Sequence, residues 1–238
     1  MAEDPEAVVE ALEALTRTLL DEETPAELLE RVAELACRAI RPASVAGVTV
    51  MKNGEPAMSG TYGEAAAMLD AVQVRAKAGP CVDAARKLQV MRNESTRVDG
   101  AWPEFNRAAF ACGVYSTLSL PLVVHGEGRG SLNLYARQDR AFADDDERVA
   151  IAFSEQAAVT IANSEMFWRT QVQTEQLRIA LETRDVIGQA KGILMSKEHL
   201  TADEAFDRLR DRSQRLNIKL RTIAEQVTFT GELPDRPA

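Results

Sequence analysis

The stretch RDVIGQAKGILM (184–195), followed by TADEAFDRLRDRSQRLN (201–217) and IKLRTIAEQV (218–227), decides the reading of this chain. Each run carries one apolar stripe at helical period, and none alternates as a strand does. Ile187, Ala190 and Leu194 share a face in the first. Phe206, Leu209 and Leu216 do so in the second, with Ser213 in line. Leu220, Ile223, Ala224 and Val227 form the third seam. Thr201 with Glu204 makes a capping box, and Leu200 is placed to staple against Ala205. A helix therefore starts at Thr201, the one before it ends around 197–199, and Asn217 stops the second. Three short helices with one apolar face each bury them best against one another, which predicts a small three-helix bundle.

The polar side of this bundle differs from the rest of the chain. Residues 178–230 carry ten Lys and Arg against eight Asp and Glu, whereas the whole chain has a formal net charge of −9. A weakly basic island on an acidic protein points towards a polyanionic partner. Solvated helix faces laced with i,i+4 ion pairs give the same composition.

The residues of the stretch resemble an ANTAR domain, the RNA-binding module of bacterial transcription antiterminators. The match runs through Arg184, Ile187, Gln189–Met195, Asp203–Phe206, Leu209, Arg210, Ser213, Asn217, Leu220 and Ala224. The resemblance implies a three-helix bundle that acts as a dimer. It also implies binding of paired hexaloop RNA hairpins, which keeps a terminator from folding. RNA contacts are then expected at Arg184, Lys191, Arg210, Ser213, Asn217 and Lys219. Arg184 and Lys191 lie on one stripe with Gly188 between them, and a glycine there lets an RNA backbone approach closely. Tight helix packing is the other reading of Gly188 and Gly192. Arg210 could stack on an unpaired base or pair with Asp207 or Asp211. Ser213 could bond locally, and Asn217 could read a base edge or only end its helix.

Upstream, Asp4 caps a helix that opens with Pro5 and carries Val8, Val9, Leu12, Leu15 and Leu19. Thr24 with Glu27 forms a second capping box, ahead of a helix that ends before Pro42. Strands are expected at 44–51 and 56–62, joined by the hairpin signal Asn53-Gly54. Helices follow at 65–76 and after Gly79-Pro80, with a short strand at 88–91. Another helix opens at Trp102-Pro103 and is stopped by Gly113. Strands 116–124 and 130–137 flank a glycine-rich turn, 125–130. Helices outside consecutive antiparallel strands make the fold class α+β.

This part resembles a GAF domain, a sensory module with an antiparallel sheet flanked by helices. Gly79–Arg86, Trp102–Phe105, Ser119–Leu122, Gly130–Tyr135 and Phe142 with the following helix carry the likeness. It implies a small-molecule effector, whose identity the residues leave open, or a dimerisation platform. The Asn-Lys-Phe-Asp-Glu motif of cyclic-nucleotide GAF domains is missing from the sequence, which speaks against such a ligand.

The expected organisation is a sensory domain at 7–166, a helical coiled-coil connector at 167–183 and an RNA-binding bundle at 184–230. From Asp144 to Gly188 neither Gly nor Pro occurs, so a continuous rod of roughly 65 Å is expected. Phe167, Trp168, Val172, Ile179 and Leu181 along it suit a homodimeric coil.

The remaining composition excludes other classes. Apolar residues make up 45% and charged ones 27%, as in ordinary globular proteins. The first residues have neither a basic nor an apolar signal region, and no apolar run reaches membrane-spanning length. Three scattered cysteines without a C-x-x-C pair suggest a reducing, cytoplasmic setting without disulfides or zinc. No cofactor motif is evident. Cys81, after Gly-Pro at a helix start, is a candidate redox thiol or a small buried residue; Cys37 and Cys112 read as core. A thiol-dependent reductase built on Cys81 or Cys112, and a bundle that binds protein instead of RNA, are the alternative functions.

Overall fold

The computed structural model describes residues 5–18, 24–98 and 100–234. Asp4 and Leu19 of the first predicted helix lie outside them. The chain divides into two compact units, Met1–Trp168 and Arg169–Ala238. The architecture is α+β, with a five-stranded antiparallel sheet flanked by helices and an all-α C-terminal bundle.

Helices α1 (Pro5–Thr18) and α2 (Pro25–Ala39) open the first unit. The Thr24 capping box forms as expected: Thr24 N–H donates to Glu27 Oε2 at 2.8 Å, and Glu27 N–H donates to Thr24 Oγ1 at 3.4 Å. Strands β1 (Val45–Lys52) and β2 (Glu55–Tyr62) are joined at Asn53-Gly54, both with positive φ as a type I′ turn demands. Then come α3 (Glu64–Ala76), α4 (Pro80–Lys87), β3 (Met91–Asn93), α5 (Pro103–Ala111), β4 (Ser116–Val124) and β5 (Glu127–Ala136). The sheet order is β2-β1-β5-β4-β3.

Two strand boundaries differ from expectation. The strand predicted at 88–91 starts three residues later, because Leu88 turns left-handed (φ 54°) to end α4. The glycine-rich turn shrinks to His125-Gly126, and β5 begins at Glu127. Gly128 and Gly130 are strand residues at a bulge beside Leu122 and Val123. A side chain at Gly130 would strike the Thr49 carbonyl of β1, so the glycine serves a close strand approach and not a turn.

One face of the sheet builds the main core. Ala46, Val48 and Val50 of β1, Leu118, Leu120 and Leu122 of β4, and Leu132 and Leu134 of β5 are all buried on it. Leu15 of α1, Leu29 and Val32 of α2, and Phe153, Ala157 and Ile161 of the next helix cover them. The opposite face lies under α3, α4 and α5, with a smaller cluster of Ala66, Leu69, Phe105, Ala109, Val114 and Tyr135.

Helix α6 runs from Asp144 to Glu198 and passes through Gly188 and Gly192 unbroken. Asp144, Asp145, Asp146 and Glu147 fill its first turn, where acids suit the helix dipole. Arg92 of β3 donates to Glu147 at 2.6 and 2.9 Å and to Asp144 at 3.1 Å, which ties this turn to the sheet. Among the described residues no helix is long and apolar enough to cross a membrane.

In the second unit, the end of α6 packs with α7 (Ala202–Leu216) and α8 (Leu220–Thr230). Ala190, Leu194, Ala205, Leu209, Ile223, Ala224 and Val227 form its buried seam. The Thr201–Glu204 capping box is present, and Leu200 and Ala205 both join the core. Arg208 reaches Glu198 at 2.8 Å across the α6–α7 turn, and Arg221 reaches Glu182 at 3.5 Å. These pairs and the shared seam hold α6, α7 and α8 together as one bundle.

Candidate functional site

The predicted RNA contacts fall into two groups. Arg184, Gly188 and Lys191 follow one another at i, i+4 and i+7 on α6, so they share a stripe beside the buried seam. Arg184 is exposed and Lys191 half-buried. The Lys191 ammonium lies 5.8 Å from the centroid of the Phe206 ring, within cation–π range. Phe206 was expected in the α7 seam; it lies half-buried at the edge, and Ala205 takes the inner position. Arg210 stands one turn beyond Phe206 on the same face of α7. The Lys191–Phe206 contact joins the α6 stripe to α7, where Arg210 is exposed. Arg210 is paired with Asp207 at 2.8 Å, but both side chains are more than half exposed. Such a pair contributes about 0–1 kcal/mol and yields readily to a stronger anion.

Ser213, Asn217 and Lys219 sit together at the α7–α8 turn. Ser213 Oγ donates to the Ile218 carbonyl at 2.6 Å, which staples the turn. Asn217 ends α7 in the left-handed conformation (φ 53°). Lys219 occupies the N-cap position of α8, exposed and without a side-chain capping bond. Ser213 and Asn217 thus have structural work that needs no ligand.

The glycines are decided by space. A Cβ placed on Gly188 or Gly192 would meet nothing within 4 Å. Packing within this chain therefore does not require either glycine. Each weakens the helix by roughly 1 kcal/mol relative to alanine.

The first unit has a second polar assembly that sequence reasoning missed. Tyr135 Oη donates to Asp70 Oδ1 at 2.5 Å. Gln73 Nε2 donates to Tyr135 Oη at 3.1 Å, and Cys81 N–H donates to Gln73 Oε1 at 2.9 Å. Asn133 Nδ2 reaches Asp70 Oδ1 at 3.4 Å. All five side chains are buried. Burial pushes the Asp70 carboxyl up to about 7, with the Tyr135 and Asn133 hydrogen bonds acting against it. Burial and the neighbouring Asp70 raise the Tyr135 hydroxyl well above its ordinary value. An acid inside the apolar run Leu69-Asp70-Ala71-Val72 and an asparagine in mid-strand are the two sequence signals that could have marked this site.

The cysteines are free thiols. Burial, then the charge of Asp70, push the Cys81 thiol up. Burial pushes Cys37 up to about 12. Both shifts oppose the thiolate form that reactive cysteines need. Among the described residues no three His, Cys, Asp or Glu side chains are grouped to hold a metal ion.

Comparison with known proteins agrees with this architecture. A GAF domain model matches residues 22–162, and an ANTAR domain model matches 175–227. No curated protein matches the chain. Similar solved structures include the GAF domain from a phosphoenolpyruvate-protein phosphotransferase of Coxiella burnetii, at 18% identity and TM-score 0.52. That match covers 69% of this chain and 98% of the other. Another is the free methionine-R-sulfoxide reductase of Neisseria meningitidis in complex with its substrate, at 16% identity and TM-score 0.53, covering 70% and 95%. At these identities the likeness is one of fold. The chain belongs to the GAF domain family and carries an ANTAR domain after its GAF domain.

Proposed function

We propose that this protein is a signal-responsive RNA-binding regulator that acts by transcription antitermination in the cytoplasm. The ANTAR bundle, taken as 184–230, binds paired RNA hairpins. The GAF domain, taken as 7–166, senses a small-molecule effector. The helical segment 167–183 joins them as a coiled coil in a homodimer. No reaction is catalysed.

The observation that carries this reading is the stripe Arg184–Gly188–Lys191, joined to α7 through the Lys191–Phe206 contact. It offers two cations around a bare stretch of helix, with no packing partner for the glycine, and Arg210 stands exposed on α7. Phosphates contact the cations there, and the missing Cβ lets the backbone come close. Arg210 exchanges Asp207 for a loop base or a phosphate. Ser213, Asn217 and Lys219 hold the α7–α8 turn, and Lys219 adds a phosphate contact. The dimer is supported by α6, where Phe167, Val172, Leu177, Ile179 and Leu181 are each at least 43% exposed, large apolar groups that a second copy would cover in part.

The raised thiol of Cys81 weighs against a thiol-dependent reductase. A protein-binding bundle explains neither the stripe of cations nor the open glycine as directly. Crosslinking followed by sequencing of bound RNA tests the reading. Recovery of transcripts with two adjacent hairpin loops is expected; recovery of protein partners that survive ribonuclease, with no enriched RNA, overturns it.

A further inference from the structure

We propose that the buried patch around Asp70 binds a small organic cation bearing an ammonium group, whose N–H donors pair with Asp70 Oδ2, Asn133 Oδ1 and adjoining hydroxyls. This names the effector class for the sensor role given above to the GAF domain, and rests on that role.

The patch is contiguous. Across three neighbouring strands, Thr49 pairs with Ser131, Gly47 with Asn133, Asn133 with Ser119, and Tyr135 with Thr117. Directly opposed residues on one face stand within side-chain reach of each other. Asp70 descends from α3 onto Gly47, where any side chain would collide with the carboxylate. Gly47 is what allows the acid to reach the sheet.

The patch also has unmet bonding capacity. Thr49 Oγ1, Asp70 Oδ2, Thr117 Oγ1, Ser119 Oγ and Asn133 Oδ1 are all buried without a hydrogen-bond partner. Five such atoms on one patch are far from the usual pairing of buried polar groups. Each leaves a desolvation cost of about 1–3 kcal/mol in place.

The chemistry of these atoms selects the ligand. With Asp70 ionised, as at pH 8, two are pure acceptors and three are hydroxyls. The amide donors nearby are already engaged, Asn133 Nδ2 by Asp70 and Gln73 Nε2 by Tyr135. The Cys81 N–H at the start of α4 is taken by Gln73. Burial, Tyr135 and Asn133 act on Asp70, and no cation is among the influences on it. A phosphate, carboxylate or cyclic nucleotide would meet a like charge and find few donors. An ammonium supplies the missing charge and up to three donors.

The test is thermal unfolding of the full chain at pH 8 and constant ionic strength with ethylammonium, tetramethylammonium or cyclic AMP. Ethylammonium should raise Tm saturably, while tetramethylammonium, a cation without N–H, and cyclic AMP should not. Asp70→Asn should weaken ethylammonium about tenfold or more. Ser119→Ala, which leaves the carboxylate in place, should weaken it about threefold. Equal responses to the two cations, no response to ethylammonium, or an unchanged response in both variants overturns the proposal. A hairpin gel shift on the same preparation keeps the readings apart: RNA bound without any ethylammonium response rejects the patch and leaves the RNA-binding role standing.

Discussion

The two faces of the five-stranded sheet have opposite chemistry although both are buried. On one, Val48, Leu118, Leu120, Leu132 and Leu134 meet α1, α2 and α6 in an apolar core. On the other, which takes the alternate residues of β1, β4 and β5, Thr49, Thr117, Ser119, Ser131 and Asn133 lie at no more than 2% exposure beneath α3 and α4. The first face is built for stability. The second keeps unpaired polar atoms away from water, an arrangement that weakens the fold and makes sense where something must be recognised. The bundle repeats the contrast on one helix: Ala190 and Leu194 face inward, while Arg184, Gly188 and Lys191 keep a stripe of α6 open.

The largest effect should come from the apolar face. Leu134→Ala should lower the stability of the GAF unit by about 3 kcal/mol, read in urea by the fluorescence of Trp102 and Trp168. A loss as small as that of a surface change would break the contrast. Asp70→Asn tests the polar face through pH. The folded carboxyl is raised to about 7, against roughly 3.9 in an unfolded chain. The native state therefore holds the extra proton; its contribution is complete below about pH 4 and disappears as pH rises through 7. The variant should gain on the parent between pH 4 and pH 8, and a pH-independent Tm difference would contradict this. Thr117→Val, next to Leu118, should be neutral or stabilise by about 1 kcal/mol, since it removes a buried unpaired hydroxyl and keeps the shape. A clear loss would mean the hydroxyl is bonded after all. Smallest, Gly188→Ala should raise bundle stability by roughly 0.5–1 kcal/mol while weakening hairpin binding; unchanged binding would remove the glycine from the RNA surface.

Much of the fold was legible because its signals are local. The boxes at Thr24 and Thr201, the Asn53-Gly54 hairpin and the stop at Asn217 each need only a few neighbouring residues. Strand β4 was bounded correctly for the same reason. What escaped depends on partners far along the chain. Gly130 reads as part of a turn until β1 is laid beside it, and Gly128 until Ala85 and Leu88 are. Alternating Ser, Leu, Asn and Leu in β5 reads as a half-solvated strand, and only α3–α5 make its polar side buried. Asp70 and Tyr135 are 65 residues apart, so no motif joins them. In the candidate RNA surface, spacing puts Arg184 and Lys191 on one stripe and the ANTAR resemblance makes them expected RNA contacts, whereas the seating of Phe206 under Lys191 required α7 to be placed against α6.

The claim that the bundle holds RNA through its cationic stripe is tested most directly by a gel shift of the full chain with a paired hexaloop hairpin, beside a Lys191→Ala, Arg210→Ala double variant. The account predicts binding that weakens steeply with added salt and falls about tenfold or more in the variant, with its helicity intact. A hairpin that never binds, or one held equally well by both proteins, would contradict it.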